Sequence, residues 1–207
     1  MKKLYFFVVV LVLTQKVEAK KLQGQIYYML DTVTVTMNIP INFLTKEPNY
    51  QSLQNKLKYI DSEGVKKILR PTEASEIRFD YNSESIRMLS RKNTLEWSNV
   101  FFSNTNIFLK LEIDGELQLF NYYSTQSSPG MYNGASGMMT GGFSHRTHNL
   151  ILQKSNEELN QPFWLSFKDD MMEYFKGCPD LSDKIKHKEF RKKDLRSIVT
   201  YYNTNCK

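Results

Sequence analysis

Residues 108–123 read FLKLEIDGELQLFNYY, two alternating runs on either side of Asp114-Gly115. A two-residue Asp-Gly connection supplies the positive φ angles that a type I′ hairpin turn requires, so the stretch predicts a pair of antiparallel strands. Leu109, Leu111 and Ile113 fall on one face of the first run, with Lys110 and Glu112 on the other. Leu117 and Leu119 continue the apolar face on the return strand.

Upstream the same period recurs. In residues 22–42 Val33, Val35, Met37, Ile39 and Ile41 alternate with Thr34, Thr36, Asn38 and Pro40, predicting two strands joined near Asp31, with Pro40 at a strand end or sheet edge. Residues 49–55 are polar and suit a turn or short helix. Ser62-Glu63-Gly64 reads as a tight connection between strands at 57–60 and 65–69. Pro71 could open a single helical turn. Strands resume at 76–81 and 85–91, with Asn82-Ser83 as the turn between them. The composition, 41% hydrophobic and 24% charged, is that of a globular chain. The expected fold class is α+β, mainly antiparallel β: a small barrel or sandwich of about eight or nine short strands. Barrel and sandwich share this alternation.

Downstream, residues 124–147 carry glycines at 130, 134, 137, 141 and 142, and a mobile Gly/Met-rich loop is expected there. Met131, Met138 and Met139 are conceivable soft ligands and His145 and His148 conceivable imidazole ligands for copper or zinc. An H-x-x-H spacing presents both rings together only on a helix, however, and no carboxylate or cysteine stands nearby, so no metal site is assigned. Residues 149–154 return to strand character.

From Ser166 the period becomes helical. Phe167, Met171, Tyr174 and Phe175 form one stripe, with Ser166 and Asp169 spaced as a capping box. A second helix opens on Pro179 and turns Leu181 and Ile185 inward. A third starts near Lys192 with Leu195, Ile198, Val199 and Tyr202 at i, i+3, i+4 and i+7. The expected organisation is a leader at 1–19, a β domain at 20–160, and a three-helix segment at 161–207 that closes on it.

Residues 1–19 have Lys2 and Lys3, an apolar core and small residues before position 20, as in a cleavable secretory signal; the apolar run is too short to span a bilayer. Cleavage near Ala19 would leave 188 residues and a soluble periplasmic or secreted product, its formal charge falling from +6 to +4. From Asp180 onward eight Lys or Arg face four acids, so the tail alone accounts for that excess. With export, acidic lipid or glycan surfaces of the envelope are more available partners than nucleic acid, which is not expected; a solvated helix face kept soluble by its lysines is the plainer reading. In an oxidising compartment Cys178 and Cys206 are better read as a disulfide than as free thiols, although a catalytic thiol is the sharper alternative. His187, the nearest histidine in sequence, lies among lysines that favour its neutral form.

The segments ILRPTEASEIRF, LKLEIDGELQLFNYY and EYFKGCPDLSDKIKHKEFRKKDLRSIVTYYN, with the leader and the Gly/Met stretch, resemble a group of secreted β-rich proteins of Bacteroidetes-type bacteria to which no activity is assigned. The resemblance implies export, a β-rich body and a helical end holding the Cys-Pro step, and it transfers no catalytic residues. G-x-S-x-G, phosphate-loop and H-E-x-x-H motifs are lacking. Pairs such as Asp169-Asp170 or Glu157-Glu158 do not face each other on a helix. No catalytic, cofactor-binding or metal residue is therefore assigned. The expected function is an exported non-catalytic binding or interaction module; the alternatives are a secreted hydrolase with a dispersed site and a lipocalin-like carrier of a small apolar ligand.

Overall fold

The structure is a computed structural model describing residues 19–95, 106–127, 132–133, 138–139, 141–142, 144–155, 157–162 and 165–206. The leader read at 1–19 therefore lies outside the described residues apart from Ala19. Strands β1 (Ala19–Tyr27) and β2 (Thr32–Pro40) form a hairpin around Asp31, and Pro40 ends its strand. Helix α1 (Tyr50–Asn55) follows, its first turn capped by the Asn49 side chain, which accepts from the Ser52 amide. Then come β3 (Leu57–Ile60), β4 (Lys66–Leu69), β5 (Glu76–Tyr81), β6 (Glu84–Lys92), β7 (Asn106–Ile113) and β8 (Leu117–Ser127). Asn82 and Ser83 both adopt positive φ, the type I′ turn that their place between β5 and β6 calls for.

Nine strands form one antiparallel sheet in the order β11-β8-β7-β6-β5-β1-β2-β3-β4, where β11 is Ser144–Lys154. The fold is α+β and mainly β, with a three-helix C-terminal segment, but the sheet is not closed and the barrel is not formed. It is nonetheless rolled. In a flat sheet β4 and β5 would lie four spacings apart, roughly 19 Å. The connector from Arg70 to Ser75 includes a turn in which the Glu73 amide donates to the Arg70 carbonyl at 3.0 Å, so it is far from fully extended. Curling brings Leu69 and Ala74 into one core with Ile26, Met37, Ile77, Ile86, Met88 and Phe108.

The 108–123 hairpin departs from its expected turn. Its connection is three residues, Asp114 to Glu116, and the register shifts between Leu111 and Ile113, which oppose Phe120 and Leu119. The bulge at Glu112 breaks the single apolar face predicted for Leu109, Leu111 and Ile113. Leu109 and Leu111 join Phe120 and Ile151 in one cluster, whereas Ile113 joins Leu117 and Leu119 under the C-terminal helices. Strands also reach into the Gly/Met segment. β8 runs to Ser127, β11 starts at Ser144, and β9 (Tyr132–Asn133) pairs with β10 (Met138–Met139), because backbone pairing does not require apolar side chains.

The β7–β8 ladder runs only from Lys110↔Asn121 to Ile113↔Leu119, and beyond each end a side-chain amide takes up backbone groups of β8. Gln54 of α1 donates to the Tyr123 carbonyl at 3.0 Å and accepts from its amide at 2.6 Å. Asn203 does the same for Leu117, at 2.9 and 2.8 Å. Each residue satisfies two backbone groups and fixes where its helix lands on the sheet.

Candidate anion-binding cleft in the helical cap

The C-terminal segment consists of α2 (Phe167–Tyr174), α3 (Pro179–Lys186), a single 3-10 turn (Lys192–Asp194) and α4 (Leu195–Asn205). Most of each predicted stripe is buried, Phe167, Met171 and Phe175, Leu181 and Ile185, and Leu195, Ile198 and Val199, while Tyr174 and Tyr202 of the same stripes are half-buried. Ser166 stands at the N-cap of α2, but its hydroxyl donates to Asp170 rather than forming the expected box with Asp169. Cys178 and Cys206 form a disulfide, Cα–Cα 5.4 Å, which ties the start of α3 to the end of α4.

α3 ends in a left-handed cap. The Glu189 amide donates to the Lys184 carbonyl at 2.9 Å and the Lys188 amide to the Ile185 carbonyl at 3.1 Å, with Lys188 at φ 62°. These are the two bonds of a Schellman motif, whose left-handed position is usually glycine. The apolar contact that often accompanies it is replaced by a Lys184–Glu189 ion pair at 2.8 Å. The cap reverses the chain, and the 3-10 turn that follows is held by the Arg191 amide donating to the Asp194 carboxylate at 3.0 Å.

Between this reversal and the start of α2 lies a cleft of about 600 Å³. Phe167 and Ile185 are buried at its floor, Phe190 stands half-buried against the Tyr201 ring at 5.8 Å, and Leu165 is 98% exposed. The other lining residues are Lys168, Lys188, Arg191, Lys192 and Lys193: five cations and no carboxylate. Nearby acids are engaged elsewhere, Asp183 with His187 at 3.3 Å, Glu189 with Lys184, and Asp194 with a backbone amide. Among the described residues none of the five makes a salt bridge. Uncompensated like charges around a concavity create a field that concentrates anions. The sequence exposed the basic tail but not this grouping, because Leu165 and Lys168 precede it, one in the turn before α2 and the other in its first turn.

None of the other described candidates lines this cleft. His145 and His148 both belong to β11, and the His148 ring lies 6.2 Å from the Tyr123 ring. Met138 and Met139 lie on β10, and Met131 is outside the described residues. No group of three or more His, Cys, Asp or Glu able to hold a metal occurs among the described residues. Asp169, Asp170, Glu157 and Glu158 are exposed. His187 Nδ1 meets the Asp183 carbonyl at 3.0 Å, and with both cysteines bridged there is no free thiol for it to activate.

Elsewhere the perturbed charges are structural. Burial alone would raise the Glu76 carboxyl, but hydrogen bonds from Arg87 and Arg78 outweigh it and hold the group below its usual value. Arg87 also holds Asp114 low through a 2.7 Å contact. Burial lowers Lys154, whose ammonium lies over the rings of Tyr174, Phe175 and Tyr202 and donates to the Tyr174 carbonyl, fastening the helices to β11. A second cleft, about 270 Å³, adjoins Tyr50 and Tyr123. Burial pushes the Tyr123 phenol up to about 12, but the two rings stack on each other at 4.9 Å and Lys110 covers Tyr50, so their faces are already used. No family model, curated protein or solved structure matches the chain.

Proposed function

We propose that the protein is an exported, non-catalytic binding module that takes an anionic partner at the cleft of its helical cap. The observation that carries this reading is the set of five cations, none in a salt bridge among the described residues, around one concavity. Export is supported by the leader pattern of residues 1–19 and by the Cys178–Cys206 bridge, which suits an oxidising compartment. No helix among the described residues is long and apolar enough to cross a membrane. The hydrolase alternative draws no support from Glu76, Asp61 or Asp114, whose carboxyls are held low, whereas a general acid needs one held high. The carrier alternative wants a closed barrel around a chamber, while here the sheet is open and Met37, Ile86, Met88 and Phe108 fill its concave side.

The test is retention of the protein, lacking residues 1–19, on polygalacturonate, heparin and phosphatidylglycerol vesicles, with dextran and phosphatidylcholine vesicles as controls. Retention by at least one anionic matrix, lost when Lys188, Arg191, Lys192 and Lys193 are all changed to Gln, is expected. Indifference to every anionic matrix, or a hydrolase panel turning over substrate, would overturn the reading. Recovery from cells of a product that keeps its leader would overturn export.

A further inference from the structure

We infer that the anion this cleft takes is a phospholipid headgroup in an acidic bilayer, with Leu165 entering the apolar boundary beneath it. The inference rests on the binding-module reading above and narrows it. What narrows it is the chemistry of the lining. Its side chains are lysine, arginine, leucine, isoleucine and phenylalanine. The polar ones are hydrogen-bond donors only, and none is an acceptor. The ligand must therefore offer acceptors to this wall. A phosphate diester does so, since its free oxygens accept and none donates. The apolar half of the lining then needs an apolar ligand component. Leu165 is 98% exposed, and the Phe167 and Ile185 floor continues behind it, so a headgroup held by the cations brings that side chain to the depth of the acyl chains. Lysine stems lie comfortably along such a boundary while their ammonium groups remain in water.

The experiment is flotation of the protein lacking residues 1–19 with phosphatidylglycerol:phosphatidylcholine vesicles (3:7) and with pure phosphatidylcholine vesicles, at low and high salt. Polygalacturonate and a single-stranded oligonucleotide serve as competitors. Binding to the acidic vesicles only, weakened by salt, is expected. Leu165→Ser should weaken it about tenfold, the scale of losing one buried leucine. K192Q/K193Q should weaken it about thirtyfold, roughly fivefold for each cation near an anionic surface. These side chains lie at the surface, and unchanged circular dichroism would confirm that each variant folds. Acidic-vesicle binding that ignores Leu165→Ser overturns the inference, since the protein would merely adsorb by charge. Binding to polygalacturonate or oligonucleotide without binding to vesicles also overturns it and leaves the binding-module reading standing. Binding to none of the probes removes both.

Discussion

Lys188 occupies a backbone position that suits glycine better, and replacing it should move stability and binding in opposite directions. Its φ of 62° places Cβ close to the following carbonyl oxygen, a cost of about 1 kcal/mol that glycine does not incur. No hydrogen bond or ion pair of its side chain offsets that cost among the described residues; only its backbone is engaged, the amide donating to Ile185 and the carbonyl accepting from Arg191 Nε at 3.4 Å. Lys188→Gly should therefore stabilise the fold by about 1 kcal/mol, a rise in Tm of about 2–4 °C for a chain of this size. It should also weaken binding to phosphatidylglycerol vesicles about fivefold, because one cleft cation is lost. Lys188→Ala separates the causes: it loses the same charge but keeps the left-handed cost, so binding should fall equally while stability stays near that of the parent. Thermal unfolding followed by circular dichroism reads the first quantity and vesicle flotation the second. Equal stability of the Gly and Ala variants would refute the left-handed cap, and unchanged vesicle binding in both would remove Lys188 from the contact surface.

Other consequences follow from the same geometry. Replacing both Cys178 and Cys206 with Ala opens a loop spanning 28 residues and should cost about 3.6 kcal/mol by chain entropy, measured by urea unfolding under oxidising conditions. The folded-state carboxyl of Glu76 is depressed, so its stabilisation is complete above its unfolded value, near pH 4.5, and is lost as pH falls through the lower folded one. Glu76→Gln should cost about 2 kcal/mol at pH 7, below the usual range for a broken buried pair because both arginines are partly exposed, and should flatten the acid limb of a stability–pH curve. Asn203→Ala strands the buried amide and carbonyl of Leu117 and should cost about 2 kcal/mol, whereas Asn205→Ala, an exposed neighbour on the same helix, should cost less than about 0.5 kcal/mol. A Cβ at Gly115 would come within 3.0 Å of the Asn203 amide, at φ 153°, so Gly115→Ala should be at least as damaging in the same unfolding assay.

Much of this fold was determined by residue order alone. Most strand positions outside the Gly/Met segment, the Asn82-Ser83 turn and the three C-terminal helices follow from local periods and local turn chemistry, carried by residues adjacent in sequence or one turn apart, and the pairing of the two cysteines follows from their number and an oxidising compartment. Tertiary structure decided what depends on distant partners. At the bulge that redirects Ile113, the Glu112 carboxylate is met by Asn121 of the return strand and by Arg196 of α4, and the second contact lies outside any window around 108–123. The sheet stays open yet rolls because a short connector must take β4 back to β5. The cleft exists only because a left-handed lysine folds the end of α3 towards the start of α2, setting Lys168 among cations 20 or more residues further along the chain. Alternation of side chains specifies which face is apolar; what covers that face, and which charges meet around it, is settled by packing between segments remote in sequence.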